Sequence, residues 1–257
     1  MSSNYDNNGQ YSRHSILRYE KIFGDGFVSS GGLKLTKSFF DRLDLPQGAK
    51  VLDIGSGLGG AAFYLADTVG ATVVGVDLAA HMVEIASERA VANGYKDVTF
   101  QLADVRDMEW PENHFDLIWS RDTLLHVPNK DELFVQLFPW LKPGGTIMIS
   151  DYAKGVGEGS EGFQEYVRSS GYHLLDVESY AGLLRDAGFA DVNVDNWSSQ
   201  FVEVLRAEQG ELQSKRSIFL NDFSEEDLVY LHERWERKVQ FCLAGDMQTG
   251  LWYGTKA

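Results

Sequence analysis

The sequence predicts an α/β fold built on an open, Rossmann-like sheet. Short apolar runs typical of buried strands alternate along the chain with segments of helical periodicity. The first apolar run, at residues 51–54, passes through the turn Gly55-Ser-Gly-Leu-Gly-Gly60 into a segment that can begin a helix. A strand, a tight glycine turn and a helix in this order are typical of a nucleotide-binding α/β unit.

Length and composition limit the class of protein. The 257 residues suffice for one large α/β domain, and no apolar run approaches the roughly 20 residues that cross a membrane. A formal net charge of −15 argues against binding to nucleic acid. The single cysteine cannot form an internal disulfide, and the polar N-terminus has no apolar signal core, so we expect a soluble, cytoplasmic protein.

Four further strands are predicted at residues 71–78, 98–103, 115–120 and 146–150, the last of them after the turn at 141–145. Asp77 ends the first of these strands, and Asp104 and Val105 follow the second. Parallel strands end at the same edge of a sheet, so these residues should meet there. A carboxylate at the place of Asp77 can accept both hydroxyls of a ribose.

Two ligands fit the glycine turn. Gly55, Gly57 and Gly60 match a dinucleotide-binding pattern, so an NAD-dependent oxidoreductase is one interpretation. Two features favour S-adenosylmethionine. The first is Asp53, an acid near the end of the first strand, where dinucleotide folds usually have an apolar residue. The second is Asp104, which is suited to the adenine amino group.

The remaining segments are mainly helical. Helices are predicted at 16–23 and 33–43, before the first strand. A flexible glycine-rich segment at 151–162 leads to helices at 163–169 and 177–188 and a strand at 189–194. A long acidic helical region is predicted over 202–241, followed by a final strand at 250–256.

Two stretches are more specific than the glycine turn, namely Phe-Val-Ser-Ser-Gly-Gly at 27–32 and Ser-Arg-Asp-Thr-Leu-Leu-His at 120–126, and Trp-Leu-Lys-Pro-Gly-Gly at 140–145 accompanies them. Together they resemble the phosphoethanolamine N-methyltransferases of plants, nematodes and protozoan parasites, from about residue 11 to residue 256. The resemblance implies a seven-stranded methyltransferase sheet, mostly parallel with the last strand antiparallel, and an inserted helical lid. It also implies cap helices at 1–44, a cofactor-binding core at 45–151, and lid, substrate helices and C-terminal strands at 152–257.

The resemblance assigns candidate residues to the site. Six residues match cofactor-binding positions, namely Ser29, Gly55, Asp77, Asp104, Val105 and Arg121, and Asp53, Gly57 and Leu78 are further candidates for the cofactor. Tyr11 and His126 match a catalytic pair that could remove a proton from the amine, and Asp122, four residues before His126, could orient the imidazole or hold the amine. No histidine cluster suggests a metal, and none is expected.

The substrate end departs from the family at one position. Tyr152, Tyr172 and Lys238 match three phosphate-binding positions, and Tyr19 is a further candidate, but Ser170 stands where the family has an arginine. Either the nearby Arg168 reaches the phosphate, or the substrate is an unphosphorylated amine, amino acid or thiol. We expect a small-molecule amine substrate, most simply phosphoethanolamine, and a monomer. A non-catalytic binding module is a further alternative.

Overall fold

The computed structural model describes residues 12–257, which form one mixed sheet with helices on both faces. The order of the seven strands is β3-β2-β1-β4-β5-β7-β6. The strands from β1 to β5 pair in parallel, and β7 runs antiparallel to β5 and β6. The predicted fold class is therefore confirmed. The strands are β1 Lys50–Ile54, β2 Thr72–Asp77, β3 Val98–Leu102, β4 Phe115–Arg121, β5 Leu141–Lys154, β6 Ala190–Asn196 and β7 Met247–Thr255.

Helices fill the connections between the strands and precede β1. Three short 3-10 turns, at Val105–Asp107, Leu124–His126 and Phe138–Trp140, complete the regular structure of the described residues. The α-helices are α1 Arg13–Phe23, α2 Gly32–Phe40, α3 Gly60–Val69, α4 Ala80–Ala92, α5 Lys130–Leu137, α6 Glu161–Ser170, α7 Val177–Asp186, α8 Ser198–Ser214, α9 Arg216–Phe219 and α10 Glu225–Ala244.

Both faces of the sheet are buried, which explains why its central strands are almost continuously apolar. Because side chains alternate along a strand, Val51 and Leu117 face one layer of helices and Leu52 and Ile118 face the other. The first layer includes α2, α3, α8 and α10, and the second includes α5 and α7. The two cores fix the sheet from both sides, so its carboxyl edge can hold a site.

Strand β5 is longer than the sequence indicates. The turn at 141–145 lies within it as an irregularity, since Phe115 pairs with Leu141 and Leu117 with Thr146. At the other end, the segment predicted as flexible from residue 151 continues as strand to Lys154, because β7 pairs with it as far as Lys154 and Met247. Long-range pairing of this kind leaves no local signal in the sequence.

The region predicted as helical over 202–241 is helical for most of its length, but it is not one continuous helix. The region consists of α8, α9 and α10, with breaks around Lys215 and at residues 220–224. Ser224 begins α10 with a capping box, in which its hydroxyl accepts a hydrogen bond from the Asp227 amide and the Asp227 carboxylate accepts one from the Ser224 amide. The cap gives α10 a defined start and so sets which of its side chains point towards the sheet.

The glycine turn after β1 packs directly against the N-terminal segment. The Gly60 amide donates to the Gly26 carbonyl at 3.1 Å, and a Cβ on Gly60 would come within 2.6 Å of that oxygen and 2.7 Å of the Phe27 ring. Gly60 is needed here for space, since its φ is not positive. Within the described part of the chain, no helix is both long and apolar enough to cross a membrane.

Two glycine-to-alanine variants should change stability in opposite directions. G60A places a methyl group against backbone that cannot move away, so we expect the free energy of unfolding to fall by about 1–3 kcal/mol. Gly182 lies in α7 with nothing within 4 Å of its would-be Cβ, so G182A should raise that free energy by about 0.5–1 kcal/mol. Urea unfolding measures both, and a neutral G60A would contradict the close approach.

Candidate active site

A cavity lies at the carboxyl edge of the parallel strands and extends under α1 and α10. Most of the residues that the sequence assigned to the site lie on its wall. From the cofactor set these are Ser29, Gly55, Gly57, Asp77, Leu78, Asp104, Val105 and Arg121. From the catalytic and substrate sets they are Tyr19, Asp122, His126, Tyr152, Tyr172 and Lys238.

Asp77 is held in place by the backbone around it. One carboxylate oxygen accepts from the Gly57 amide and the other from the Ala79 amide, each at 2.9 Å. Burial raises the pKa of Asp77, and these backbone hydrogen bonds oppose that shift. Gly55 has a φ of 75°, and a Cβ there would overlap the Thr123 side chain. The turn therefore presents bare backbone and a fixed carboxylate on the same wall.

Asp53 is close to this carboxylate, but the structure does not place it on the cavity wall. The residue is only 2% exposed, and one of its carboxylate oxygens has no hydrogen-bond partner among residues 12–257. Burial, with the neighbouring Asp77 charge, raises the pKa of Asp53 to about 7. Asp53 thus lies behind the glycine turn, and direct contact with a cofactor is not supported by its position.

Asp104 and Val105 lie where β3 ends, as the strand order requires. The Asp104 carboxylate caps the 3-10 turn by accepting from the Arg106 amide at 3.0 Å. It also accepts from the Arg106 guanidinium at 2.9 Å, which lowers the pKa of Asp104. The carboxylate is therefore ionised and oriented, and Val105 beside it offers an apolar surface.

Arg121 joins the end of β4 to the N-terminal segment. Its guanidinium donates to the Thr36 hydroxyl at 2.6 Å, to the Gly32 carbonyl at 3.1 Å and to the Ser30 carbonyl. Burial lowers the pKa of Arg121, and the nearby Asp122 opposes this. With three of its donors used in this way, Arg121 positions the turn that carries Ser29 over the cavity.

Asp122 has an unusual backbone conformation, with a φ of 50°. This left-handed region is uncommon for a residue other than glycine and marks a position where function can outweigh local strain. Its amide donates to the Ser150 carbonyl at 2.8 Å, which fixes the residue against β5. The predicted helical turn from Asp122 to His126 is only a 3-10 turn at Leu124–His126, yet both side chains line the cavity.

His126 packs edge-on against Tyr172, with 5.1 Å between the ring centroids. Burial lowers the pKa of His126 to about 4, against a smaller opposing effect from a hydrogen bond to the Gly171 backbone. Lys130 and His173 lower it further. The imidazole is therefore neutral near pH 7 and has a lone pair to accept a proton.

The opposite end of the cavity carries positive charge and phenol groups. Lys238 is buried and donates to the Tyr152 hydroxyl at 2.7 Å. Burial, together with the neighbouring Arg234, lowers the pKa of Lys238 to about 8. The ring centroids of Tyr172 and Tyr152 are 6.2 Å apart. Such a group of donors suits an anion.

Tyr19 reaches the cavity because α1 is held on both sides. Arg18 donates to Asp227 of α10 at 2.6 Å, and Glu20 accepts from Arg89 of α4 at 2.9 Å. The Tyr19 hydroxyl lies 3.5 Å from that of Tyr230. Burial is the largest influence on Tyr19 and raises its pKa to about 12, so the phenol is neutral.

Arg168 is not brought to the site, and Tyr11 cannot be placed. Arg168 is on the surface of α6, with its side chain 63% exposed and paired with Glu165 at 2.8 Å, so its expected role in phosphate binding is not supported by its position. A side chain on that face of the helix is directed to solvent. Tyr11 lies outside the described residues, and its catalytic role stays a prediction.

Sequence analysis missed two charged residues, one that lines the cavity and one that contacts the N-terminal segment beside it. Arg234 lines the cavity from α10, four residues before Lys238, and this helical spacing was a signal that could have identified it. Glu208 of α8 accepts from the Gly31 amide at 2.5 Å, and burial raises its pKa to about 7. No local pattern in α8 distinguishes Glu208 from the other acids of that helix.

Comparison with known proteins agrees with this geometry. A family profile described as "Methyltransferase domain" matches residues 45–188. Phosphoethanolamine N-methyltransferase 1 of Triticum aestivum is 46% identical over 97% of this chain and 50% of that protein. The phosphoethanolamine N-methyltransferase of Plasmodium falciparum is 38% identical over 97% of this chain and 94% of that protein. The chain spans about half the length of the plant relatives it matches.

A solved structure extends the similarity to three dimensions. Haemonchus contortus phosphoethanolamine N-methyltransferase 2, in complex with phosphomonomethylethanolamine and S-adenosylhomocysteine, superposes with a TM-score of 0.94 at 33% identity, over 97% of this chain and 59% of that one. The same nematode protein in complex with S-adenosyl-L-methionine gives a TM-score of 0.96 over the whole of this chain. The fold, the cavity and these relatives together show that the chain belongs to the phosphoethanolamine N-methyltransferase family.

Proposed function

We propose that this chain is an S-adenosylmethionine-dependent N-methyltransferase that acts on phosphoethanolamine and its methylated forms to give phosphocholine. The observation that carries the proposal is that one cavity is lined by the Asp77 carboxylate and also by the Lys238 and Tyr152 donors. An adenosine-binding edge and an anion-binding end on one cavity suit transfer between these two reactants. Membership of the family leaves the NAD-dependent oxidoreductase without support, and it makes a binding module the weaker alternative.

The residues at the carboxyl edge fit the cofactor chemically. A Cβ on Gly57 would meet only Val28, at 3.6 Å, so a ligand can approach the backbone there. We propose Asp77 for the ribose hydroxyls and Asp104 and Val105 for the adenine, with Arg121 holding the Ser29 turn over them. When bound, S-adenosylmethionine supplies a methyl group on a positively charged sulfur. No group of three or more possible metal ligands occurs among the described side chains.

The acceptor must lose a proton, because an alkylammonium has no lone pair. The neutral imidazole of His126 can accept this proton, and a positioned base of this kind is typically worth about 10²–10⁴ in rate. Asp122 follows the end of β4 in a left-handed backbone conformation and lines the cavity, so its carboxylate can bind the ammonium group by charge attraction. Alignment of nitrogen, methyl and sulfur then supplies most of the remaining acceleration. Tyr11 as the partner of His126 remains a proposal from the family resemblance.

The anion-binding end supports a phosphorylated acceptor. Lys238 has its pKa lowered to about 8, so it is still mainly protonated at neutral pH, and a phosphate would further favour its charged form. The Tyr152 hydroxyl, already paired with Lys238 at 2.7 Å, can donate its own proton to a phosphate oxygen. Both residues are buried, so their contacts act in a medium that screens charge weakly.

One observation favours the second candidate, methylation of an unphosphorylated amine, amino acid or thiol. Ser170 stands where the family has its arginine, and Arg168 is turned to solvent and paired with Glu165. A serine hydroxyl cannot supply the charge or the paired donors of a guanidinium. On this basis phosphate would be held by fewer contacts than in the relatives.

Three further expectations stay predictions. They are the division of the chain into cap, core and lid, a monomeric state and a cytoplasmic location.

Turnover with a panel of acceptors tests the proposal. Purified protein and S-adenosylmethionine are incubated with phosphoethanolamine, its mono- and dimethyl forms, and the three matching unphosphorylated amines. We expect methyl transfer to the phosphorylated set, with kcat/KM at least about 100-fold above that of the unphosphorylated set, because charge-assisted hydrogen bonds contribute about 1.5–3 kcal/mol each. Transfer confined to the unphosphorylated set would establish the second candidate instead.

Variants of two histidines provide the matched control for this assay. H126N should lower kcat about 100-fold or more while the affinity for S-adenosylhomocysteine in calorimetry is kept. His232 is exposed on α10, so H232N should leave both quantities at the wild-type level. Equal rates for the two variants would show that the base is another group.

The protonation of His126 gives a second prediction. An NMR titration of the histidine rings, assigned with H126N, should show the imidazole neutral down to a pH of about 4. Between this pH and the ordinary 6.5, the unfolded chain binds more protons at this residue than the folded one, so the free energy of unfolding should rise with pH across that window. This rise should be smaller in H126N. A ring that titrates near 6.5 would contradict the burial of His126.

A further inference from the structure

We propose that Arg234 binds the anionic group of the acceptor and so determines specificity for phosphorylated substrates. This inference rests on the proposed function and deepens it at the same site. It concerns a residue of α10, the helix whose Phe241 packs against Phe163 and Tyr166 of α6, and not α6 itself, which carries Arg168 and Ser170. The guanidinium that the 168–170 segment does not provide would then come from a different helix.

The position of Arg234 fits this role. It lies one helical turn before Lys238, so both side chains project from the same face of α10 into the cavity. Tyr19 and Tyr172 line the wall beside them, and the guanidinium carbon is 5.8 Å from the centroid of the Tyr19 ring. An anion at this place would be in reach of two positive charges and several phenol hydroxyls.

Within the described part of the chain, no carboxylate forms an ion pair with Arg234. One guanidinium nitrogen donates to the Tyr230 hydroxyl at 3.2 Å. Of the carboxylates within residues 12–257, none lies within 4.0 Å of this guanidinium. A half-buried positive charge without a counter-ion is costly, and a bound anion would compensate it.

The other cations on the cavity wall have their donors occupied to a greater extent. Arg106 pairs with Asp104, and Arg121 makes three hydrogen bonds to the N-terminal segment. Among residues 12–257, Arg234 donates one hydrogen bond, to Tyr230, and a guanidinium has five N–H donors in a planar fork. Enough donors remain for a bidentate contact, which suits the oxygens of a phosphate group.

A purely structural role for Arg234 makes a different prediction. If it only positioned Tyr19 and Tyr230, its loss would disturb the whole cavity and lower cofactor affinity and kcat together. If it binds the anion, its loss raises KM for a phosphorylated acceptor and leaves the other two quantities nearly unchanged. The two roles therefore differ in whether KM alone changes or kcat and the cofactor affinity change together.

The experiment compares R234Q with R237Q. Arg237 is exposed on the same helix, so R237Q controls for the loss of one positive charge from α10. We expect R234Q to raise KM for phosphoethanolamine by about 10- to 100-fold, with kcat within about threefold of wild type and unchanged affinity for S-adenosylhomocysteine in calorimetry. R234K, which keeps the charge without the planar fork, should raise KM by a smaller factor and serves as the test if R234Q does not fold.

Three results would overturn the inference. The first is a KM of R234Q, or of R234K where only that variant folds, equal to that of R237Q. The second is a joint fall of kcat and cofactor affinity, which would assign Arg234 a structural role. In both cases wild-type turnover of phosphoethanolamine would leave the proposed function standing. The third is a wild-type protein that methylates only unphosphorylated amines, in which case the proposed function fails and this inference with it.

Discussion

The site depends on the close approach of backbone around the glycine turn after β1. Gly55 lies against Thr123 and Gly60 against the Gly26 carbonyl, with no space for a side chain at either place. The first contact brings the end of β4, with Asp122 and His126, to the same edge as Asp77. The second docks the N-terminal segment on the turn. The carboxyl edge, the residues Asp122 and His126 and the N-terminal segment are thus positioned by two glycines of one loop.

Charge is arranged across the cavity in a consistent way. The carboxyl edge carries Asp77 and Asp104, which suit the hydroxyls and amino group of a nucleoside and the positive charge of a sulfonium. The far end carries Lys238 and Arg234, which suit a phosphate. His126 is kept neutral by burial. A zwitterionic acceptor such as phosphoethanolamine would be oriented by this field, with its amine towards the carboxylates and its phosphate towards the cations.

Local signals in the sequence located the fold and the acids at the carboxyl edge, whereas the family resemblance supplied most of the other predicted residues of the cavity wall. Glycine spacing, apolar runs and acids at strand ends identified β1 to β4 and residues such as Asp77 and Asp104. Prediction from the sequence failed where contacts between distant parts of the chain determine the length of a strand or the exposure of a side chain. The length of β5 follows from pairing with β7, and the exposure of Arg168 follows from the direction of α6. The sequence signal for Arg234 is its spacing of four residues from Lys238, whereas the family resemblance points to position 170 for an arginine.

The most direct test of this account is a crystal structure of the protein with S-adenosylhomocysteine and phosphoethanolamine. The account predicts the ribose hydroxyls on Asp77, the acceptor nitrogen next to Asp122 and His126, and the phosphate within hydrogen-bond distance of Lys238 and Tyr152. A phosphate bound away from α10, or an acceptor nitrogen remote from His126, would contradict it.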